Sequence, residues 1–399
     1  MKTLARLLLA IFILFSFVIA NSNENQKVEW KGRIEKEDGV KVIKNPRESL
    51  YGEIVFDLEE DLSIGNEDDE NYMFYKGISI EVDSDGNIFV LDRGNFRIQK
   101  FDKDGNYLQT IGRKGQGPGE FERPYMIYLD SEENIFVQDG RNIDVFDQNG
   151  KFKRIISLSD FLMPFGIKIT KEGNILAQTQ SSINLQKGTD DIILINSKGK
   201  RIKTIASYSW EAPPPLRGNY YLGNPYTPGL FFCPLHEELG IHGHASEYKL
   251  FVINSSGEIV HIIKKDEPGE PFTRKEKNKL IDELVESLKR SKRRPEYSRS
   301  EIKKAIKFPK YKSFYSVILN DDKDRIYISR YKLSIDKDKI AEFDLFNKEG
   351  YYLYRVKMSH YPRTIKNGYV YKSESDQETG YRKVKRYKIK NWEEIKEGI

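Results

Sequence analysis

Residues 77–112 read GISIEVDSDGNIFVLDRGNFRIQKFDKDGNYLQTIG. The stretch divides into four short β-rich runs separated by turns at Asp83-Ser84-Asp85-Gly86 and Lys103-Asp104-Gly105-Asn106. Asp-Gly and Gly-Asn pairs tolerate the positive φ that tight hairpins need, so the turns predict antiparallel neighbours. Four such strands make one small antiparallel sheet.

The pattern recurs every 40 to 45 residues or so, which marks a propeller blade. Residues 125–158 repeat it with YMIYLD, NIFVQD, IDVFD and FKRIISL, and residues 165–207 with ITKEGNILAQTQ and IILINSKGKRIKTIAS. Later copies are YKLFVINSSGEIVHIIKK at 248–265, SVILNDDKDRIYISRY and IAEFDLFNKEGYYLYRVKM between 316 and 358, and TIKNGYVYKS at 364–373. Six units result. The last lacks a fourth strand, while the β-rich run Ile54–Leu62 has no blade of its own. A closed ring needs its strands paired, so this run is predicted to complete blade six. WKGRIEKEDGVKVIKNP at 30–46 reads as an extra hairpin turning at Lys36–Gly39.

One segment departs from the β pattern. Thr273 with Glu276 and Ser298 with Glu301 fit helix capping boxes, and Leu280, Ile281, Leu284, Val285 and Leu288 recur at helical spacing. A helical insertion at 273–308, between blades four and five, is expected. It holds thirteen Lys or Arg against six Asp or Glu, a net +7. That charge suits a solvated arm whose apolar stripe packs on the propeller. It also suits docking to an acidic partner or peripheral contact with anionic lipid headgroups.

The first twenty residues read as a signal peptide, with Lys2 and Arg6 ahead of the apolar run Leu7–Ala20. That run is shorter than the roughly 20 residues a membrane-spanning helix needs. An exported chain follows, periplasmic or extracellular, with an extension at 21–50 and the propeller at 51–399. Cys233 is the only cysteine, so disulfides cannot hold the fold; 24 Tyr and 22 Phe supply the core instead. The formal charge of +5 falls to +3 without the signal, which gives no warrant for a nucleic-acid partner.

Residues 77–121 resemble the NHL-repeat family of six-bladed β-propellers. The resemblance rests on Asp85-Gly86-Asn87-Ile88-Phe89-Val90, Asp92, Asn95, Arg97-Ile98, Phe101-Asp102 and Gly105. Blade two keeps Asp139, Asn142, Phe146-Asp147 and Gly150 but has no arginine at the place of Arg97. The resemblance implies an all-β, six-bladed propeller. It places Asp92 as the residue that orders its loop, with Arg97 pairing across it. Related propeller enzymes hold zinc or calcium in the channel with His or carboxylate ligands; here the innermost strands begin near Gly77, Tyr125, Phe165, Phe232, Tyr315 and Tyr361, which offer aromatics instead.

GRKGQGPGEF at 112–121 resembles a phosphate loop only at first sight. No lysine follows the second glycine of a Walker spacing, and a strand rather than a helix comes next. It reads as the connector from blade one to blade two. Cys233, His236, His242 and His244 lie within twelve residues, and His242 and His244 would share one face of a strand, as a metal pair requires. Packing roles suit these four better. Arg93, Asn95, Arg113, Lys114, Arg123 and Tyr125 should gather on the face where the inter-blade connectors emerge. The expectation is therefore a binding or scaffolding propeller for a small molecule or protein, without cofactor. The alternative is a metal-dependent lyase or hydrolase working in the channel.

Overall fold

The computed structural model describes residues 29–398, apart from 185, 214, 217–221, 236–238, 291–295, 337–339 and 377. The signal-like segment and His236 lie outside the described residues. Six antiparallel sheets arise where the sequence repeats, at 78–111, 124–157, 162–211, 230–265, 315–358 and 364–389. We number them blades one to six.

Most first and third turns use the same device. Asp83 Oδ1 accepts the amide of Asn87 at 2.7 Å, and Asp102 and Asn106 repeat this at 2.8 Å, as do Asp130 and Asn134. Gly86 and Gly105 sit at φ of 87° and 85°, where a side chain would be strained. The tight turns fix strand register, and register decides which side chains face the next blade.

The faces so aligned bury one apolar cluster per blade interface. Phe89, Ile98, Ile127 and Val137 join blades one and two, and Phe136, Ile143, Ile167 and Ile175 join two and three. Clusters around Leu176 and Phe232, Ile241 and Ile326, and Phe343 and Val370 continue the ring. The sixth cluster unites Tyr371 and Val384 of blade six with Ile78 and Val90 of blade one, so the ring closes.

Closure comes from the N-terminal side, with a refinement of the expected strand. Leu58–Ile64 forms the outer strand of blade six, antiparallel to Tyr381–Ile389, and pairs Ile64 with Val384. Arg386 clamps it by donating to Asp61 from Nε at 3.1 Å and Nη2 at 2.9 Å. The first part of the Ile54–Leu62 run does something else: Glu53–Val55 lies parallel to the outer strand of blade five. The hairpin Arg33–Glu37 and Val40–Asn45 finds its place on blade four, where its second strand runs parallel to Ile259–Lys265. Val42 and Ile43 are fully buried there.

The insertion holds two helices, α1 (Arg274–Arg290) and α2 (Arg299–Ala305), and both capping boxes form. The apolar stripe of α1 does not lie on a blade. Leu280, Ile281, Val285 and Leu288 pack with Leu216, Leu222 and Tyr226 of the connector between blades three and four, and with Leu333 of blade five. The helices and two loops thus share a core of their own. Among the described residues no helix is long and apolar enough to cross a membrane.

Candidate functional site

An antiparallel meander places its first and third turns at one end and its second turn and outgoing connector at the other. The connectors and second turns of all blades therefore crowd one end of the ring, called the upper end here. The helical insertion stands at the same end.

The connector at 112–121 folds upon its own glutamate. Glu120 Oε2 accepts the Gly117 amide at 2.9 Å, and Oε1 accepts Arg113 Nε and Nη2, each at 2.8 Å. These contacts, the Gly117 amide first, hold the Glu120 carboxyl below its usual range. A built-in carboxylate thus occupies the donors that a phosphate would need. Phe121 is fully buried, and Gly112, at φ 76°, is demanded by it: a Cβ there would meet the Phe121 ring at 2.3 Å.

The residues expected to form one upper face divide by what they touch. Asn95 is consumed by structure, donating to Asp92 Oδ2 at 2.7 Å and to the Met73 carbonyl at 3.3 Å. Asp92 also accepts the Tyr75 amide at 3.2 Å and orders the loop, while Arg97 Nε stands 3.8 Å away. Arg97 spends its Nη2 on the carbonyls of Glu70 and Met73. Arg113 belongs to Glu120, Lys114 lies 5.3 Å from the Phe96 ring, and exposed Arg123 flanks Gly140. Arg93 differs from all of these. Its guanidinium lies 4.5 Å above the Tyr125 ring and continues towards the axis.

The innermost strands enclose a channel of about 790 Å³. Arg93 and Arg363 line its upper end, and its wall includes Ile78, Met126, Ile167, Phe232 and Ile318. Exposed turn residues Ser84, Ser131, Lys171 and Asn367 line the lower end, so the channel meets solvent there. Arg93 is the one member of the expected face that reaches it. At the same end of the ring, Tyr125, Phe165 and Tyr361 stay 43%, 39% and 44% exposed; Tyr125 lies under Arg93, and Tyr361 packs on Phe343 of blade five at 5.5 Å. Sequence reading named these rings as strand starts but missed Arg363. Its only signal was an arginine directly before the inner strand of blade six.

The histidine and cysteine candidates do not converge as a set. Strand pairing places Cys233 opposite Ile241 and Phe232 opposite His242, so the Cys233 and His242 side chains leave opposite faces of the sheet. Cys233 packs in the interface with blade five, and burial pushes its thiol up to about 12. His242 stacks on Phe251 at 5.1 Å, and burial pushes its ring down to about 4. His244 stacks on Tyr208 at 4.7 Å and meets Ser246 Oγ at 2.8 Å. Among the described residues no group of three His, Cys, Asp or Glu is arranged to hold a metal ion.

Comparison with known proteins agrees with this geometry. Residues 70–213 match the family DUF5128, described as a 6-bladed beta-propeller. The chain is a six-bladed β-propeller. Its repeat is NHL-like: the human E3 ubiquitin-protein ligase NHLRC1 is 28% identical over 93 residues, 23% of each chain. The chain thus spans under a quarter of that relative's length. A crystal structure of a Bacteroides fragilis protein whose name assigns it to export superposes with a TM-score of 0.50 at 14% identity, covering 88% of this propeller and 99% of that chain. A Bacteroides vulgatus member of the duf4221 family is also similar, at a TM-score of 0.45 and 14% identity, over 84% and 98% of the two chains.

Proposed function

We propose that this propeller is an exported binding module whose ligand is engaged at the upper mouth of the channel. The observation that carries the reading is the channel's upper end, lined by Arg93 and Arg363, where exposed Tyr125 lies under the Arg93 guanidinium; Phe165 and Tyr361 are exposed at the same end of the ring. Exposed aromatic rings carry much contact area at small entropic cost, and a ring of six interlocked blades holds them rigidly. Stability resides in the interface clusters and recognition in the loops, so the mouth is free to be specialised. The N-terminal segment with its apolar core supports export, and the helical insertion supplies a second, basic surface for a protein partner at the same end.

The test is a ligand panel read by thermal shift on wild type and on the Tyr125→Ala/Phe165→Ala variant. Both rings are exposed, so the unliganded melting temperature should stay nearly unchanged. Compounds that stabilise wild type should lose that effect in the variant. Stabilisation that survives in the variant would remove the mouth from the reading.

A further inference from the structure

Buried or half-buried arginines of this chain are answered by carboxylates in most places. Arg325 meets Asp321 at 2.7 Å, Arg386 meets Asp61 at 2.9 Å, and Arg330 meets Glu267 and Asp344, each at 3.4 Å. Arg93 breaks that rule, and exposed Arg363 stands beside it. Arg93 is half-buried, and its Nε has no hydrogen-bond partner. Its one side-chain contact of this kind is a weak one, from Nη2 to Met126 Sδ at 3.4 Å. The neighbours that act on its charge are Tyr125, Arg363 and Tyr128, with no carboxylate among them.

Gly77 makes the arrangement possible. The Arg93 amide donates to the Gly77 carbonyl at 3.1 Å, and the side chain then runs inward across Gly77, where a Cβ would lie 3.3 Å from Cδ and Nη1. Arg363, just before the inner strand of blade six, reaches the same channel from the neighbouring blade. Bringing two guanidiniums together without a counter-charge costs free energy through repulsion and lost hydration. A third, negative group at the cavity would answer both guanidiniums with charge-assisted hydrogen bonds.

We infer that Arg93 and Arg363 form the head-group site for a small amphiphilic anion, a carboxylate or phosphate monoester whose apolar body lies in the channel below. The inference rests on the proposed reading of the mouth as a ligand site and names the ligand class. Guanidinium forks pair with either oxyanion through two parallel hydrogen bonds. Beneath them Ile78, Met126, Ile167, Phe232 and Ile318 supply the apolar part of a wall that Glu81 and Lys168 share. An inner strand of five or six residues is about 16 to 20 Å long, enough for an eight-carbon chain with its head at the arginines. The volume of about 790 Å³ lies within the range of small-molecule pockets.

The experiment is calorimetry on the full chain with octanoate, octyl phosphate and 1-octanol. At least one of the two anions should bind at least tenfold more tightly than the alcohol, and the better of them identifies the head group. Arg93→Gln and Arg363→Gln should each weaken the anion by about 10- to 100-fold, as expected for a charge-assisted hydrogen bond, and leave the alcohol unchanged. Arg363 is exposed, so its substitution keeps the fold and carries the test if Arg93→Gln lowers stability. Equal binding of anion and alcohol, or anion binding untouched by both substitutions, would overturn the head-group site while leaving an apolar channel ligand standing. Failure of all three probes would also overturn it, and the Tyr125 and Phe165 panel then judges the mouth separately.

Discussion

Replacing Lys265 by methionine should cost this protein a large part of its stability. Lys265 ends the outer strand of blade four and is buried beside Asp344 of blade five, with Nζ at 2.9 Å from Oδ2. The Tyr248 and Tyr352 hydroxyls donate to the same carboxylate at 2.8 and 2.7 Å, and Lys265 also meets Glu267 at 2.5 Å. Burial by itself would raise the Asp344 carboxyl; Lys265 and Arg330 outweigh it and hold the group below its usual range. Methionine preserves the volume and removes the charge, leaving a buried carboxylate underneutralised, which costs about 3 to 5 kcal/mol. Against a typical total of about 5 to 15 kcal/mol that is a severe loss. Urea unfolding at pH 7 measures it. The double variant Lys265→Met/Asp344→Asn should recover about 2 kcal/mol or more, since the buried carboxylate is then gone and Arg330 keeps Glu267. The pH dependence has a definite sign. A depressed carboxyl stabilises the fold above its unfolded pKa of about 4, and that contribution disappears as pH falls through the folded value. The Lys265→Met variant should therefore lose less stability on acidification than wild type. A cost below about 1 kcal/mol at pH 7 would show that the pair is solvated and the reasoning wrong.

Two further outcomes follow from the packing. Ile64→Ala, in the strand that closes blade six, should destabilise by about 2 to 5 kcal/mol because Ile64 is buried against Val384 and Phe74. Ile54→Ala, in the strand added to blade five, should cost no more than about 1 kcal/mol, and equal costs in urea would contradict the division of labour between the two strands. His242 is held neutral with its ring pushed down to about 4, so the unfolded chain takes up a proton first as pH falls from about 6.5, and stability drops by about 3 kcal/mol by pH 4. His242→Phe keeps the stacking on Phe251 and should flatten that part of the urea-midpoint profile; an unchanged slope would move the titration elsewhere.

Much of the fold was legible because its signals are local. Asp83-Ser84-Asp85-Gly86 carries its own turn, since Asp83 accepts the amide four residues on and Gly86 takes the positive φ. Thr273 with Glu276 and Ser298 with Glu301 specify helix starts within four residues. The missing strand of blade six could be found by counting, because an incomplete blade needs one.

The candidate site was less legible, and Arg93 and Arg113 show why. Both are arginines in loops at the same end of the ring, and nothing in their neighbourhood of sequence ranks one over the other. Glu120, seven residues away, neutralises Arg113, whereas the partner that repels Arg93 is Arg363, 270 residues on. The sequence by itself determined where the chain turns, which runs are strands and which segment is helical, because those are energies of neighbouring residues. The tertiary structure alone decided that Glu53–Val55 serves blade five, that the hairpin rests on blade four, that Cys233 and His242 leave opposite faces, and which arginines lack a counter-charge. Such outcomes depend on burial and on pairs that only ring closure brings together.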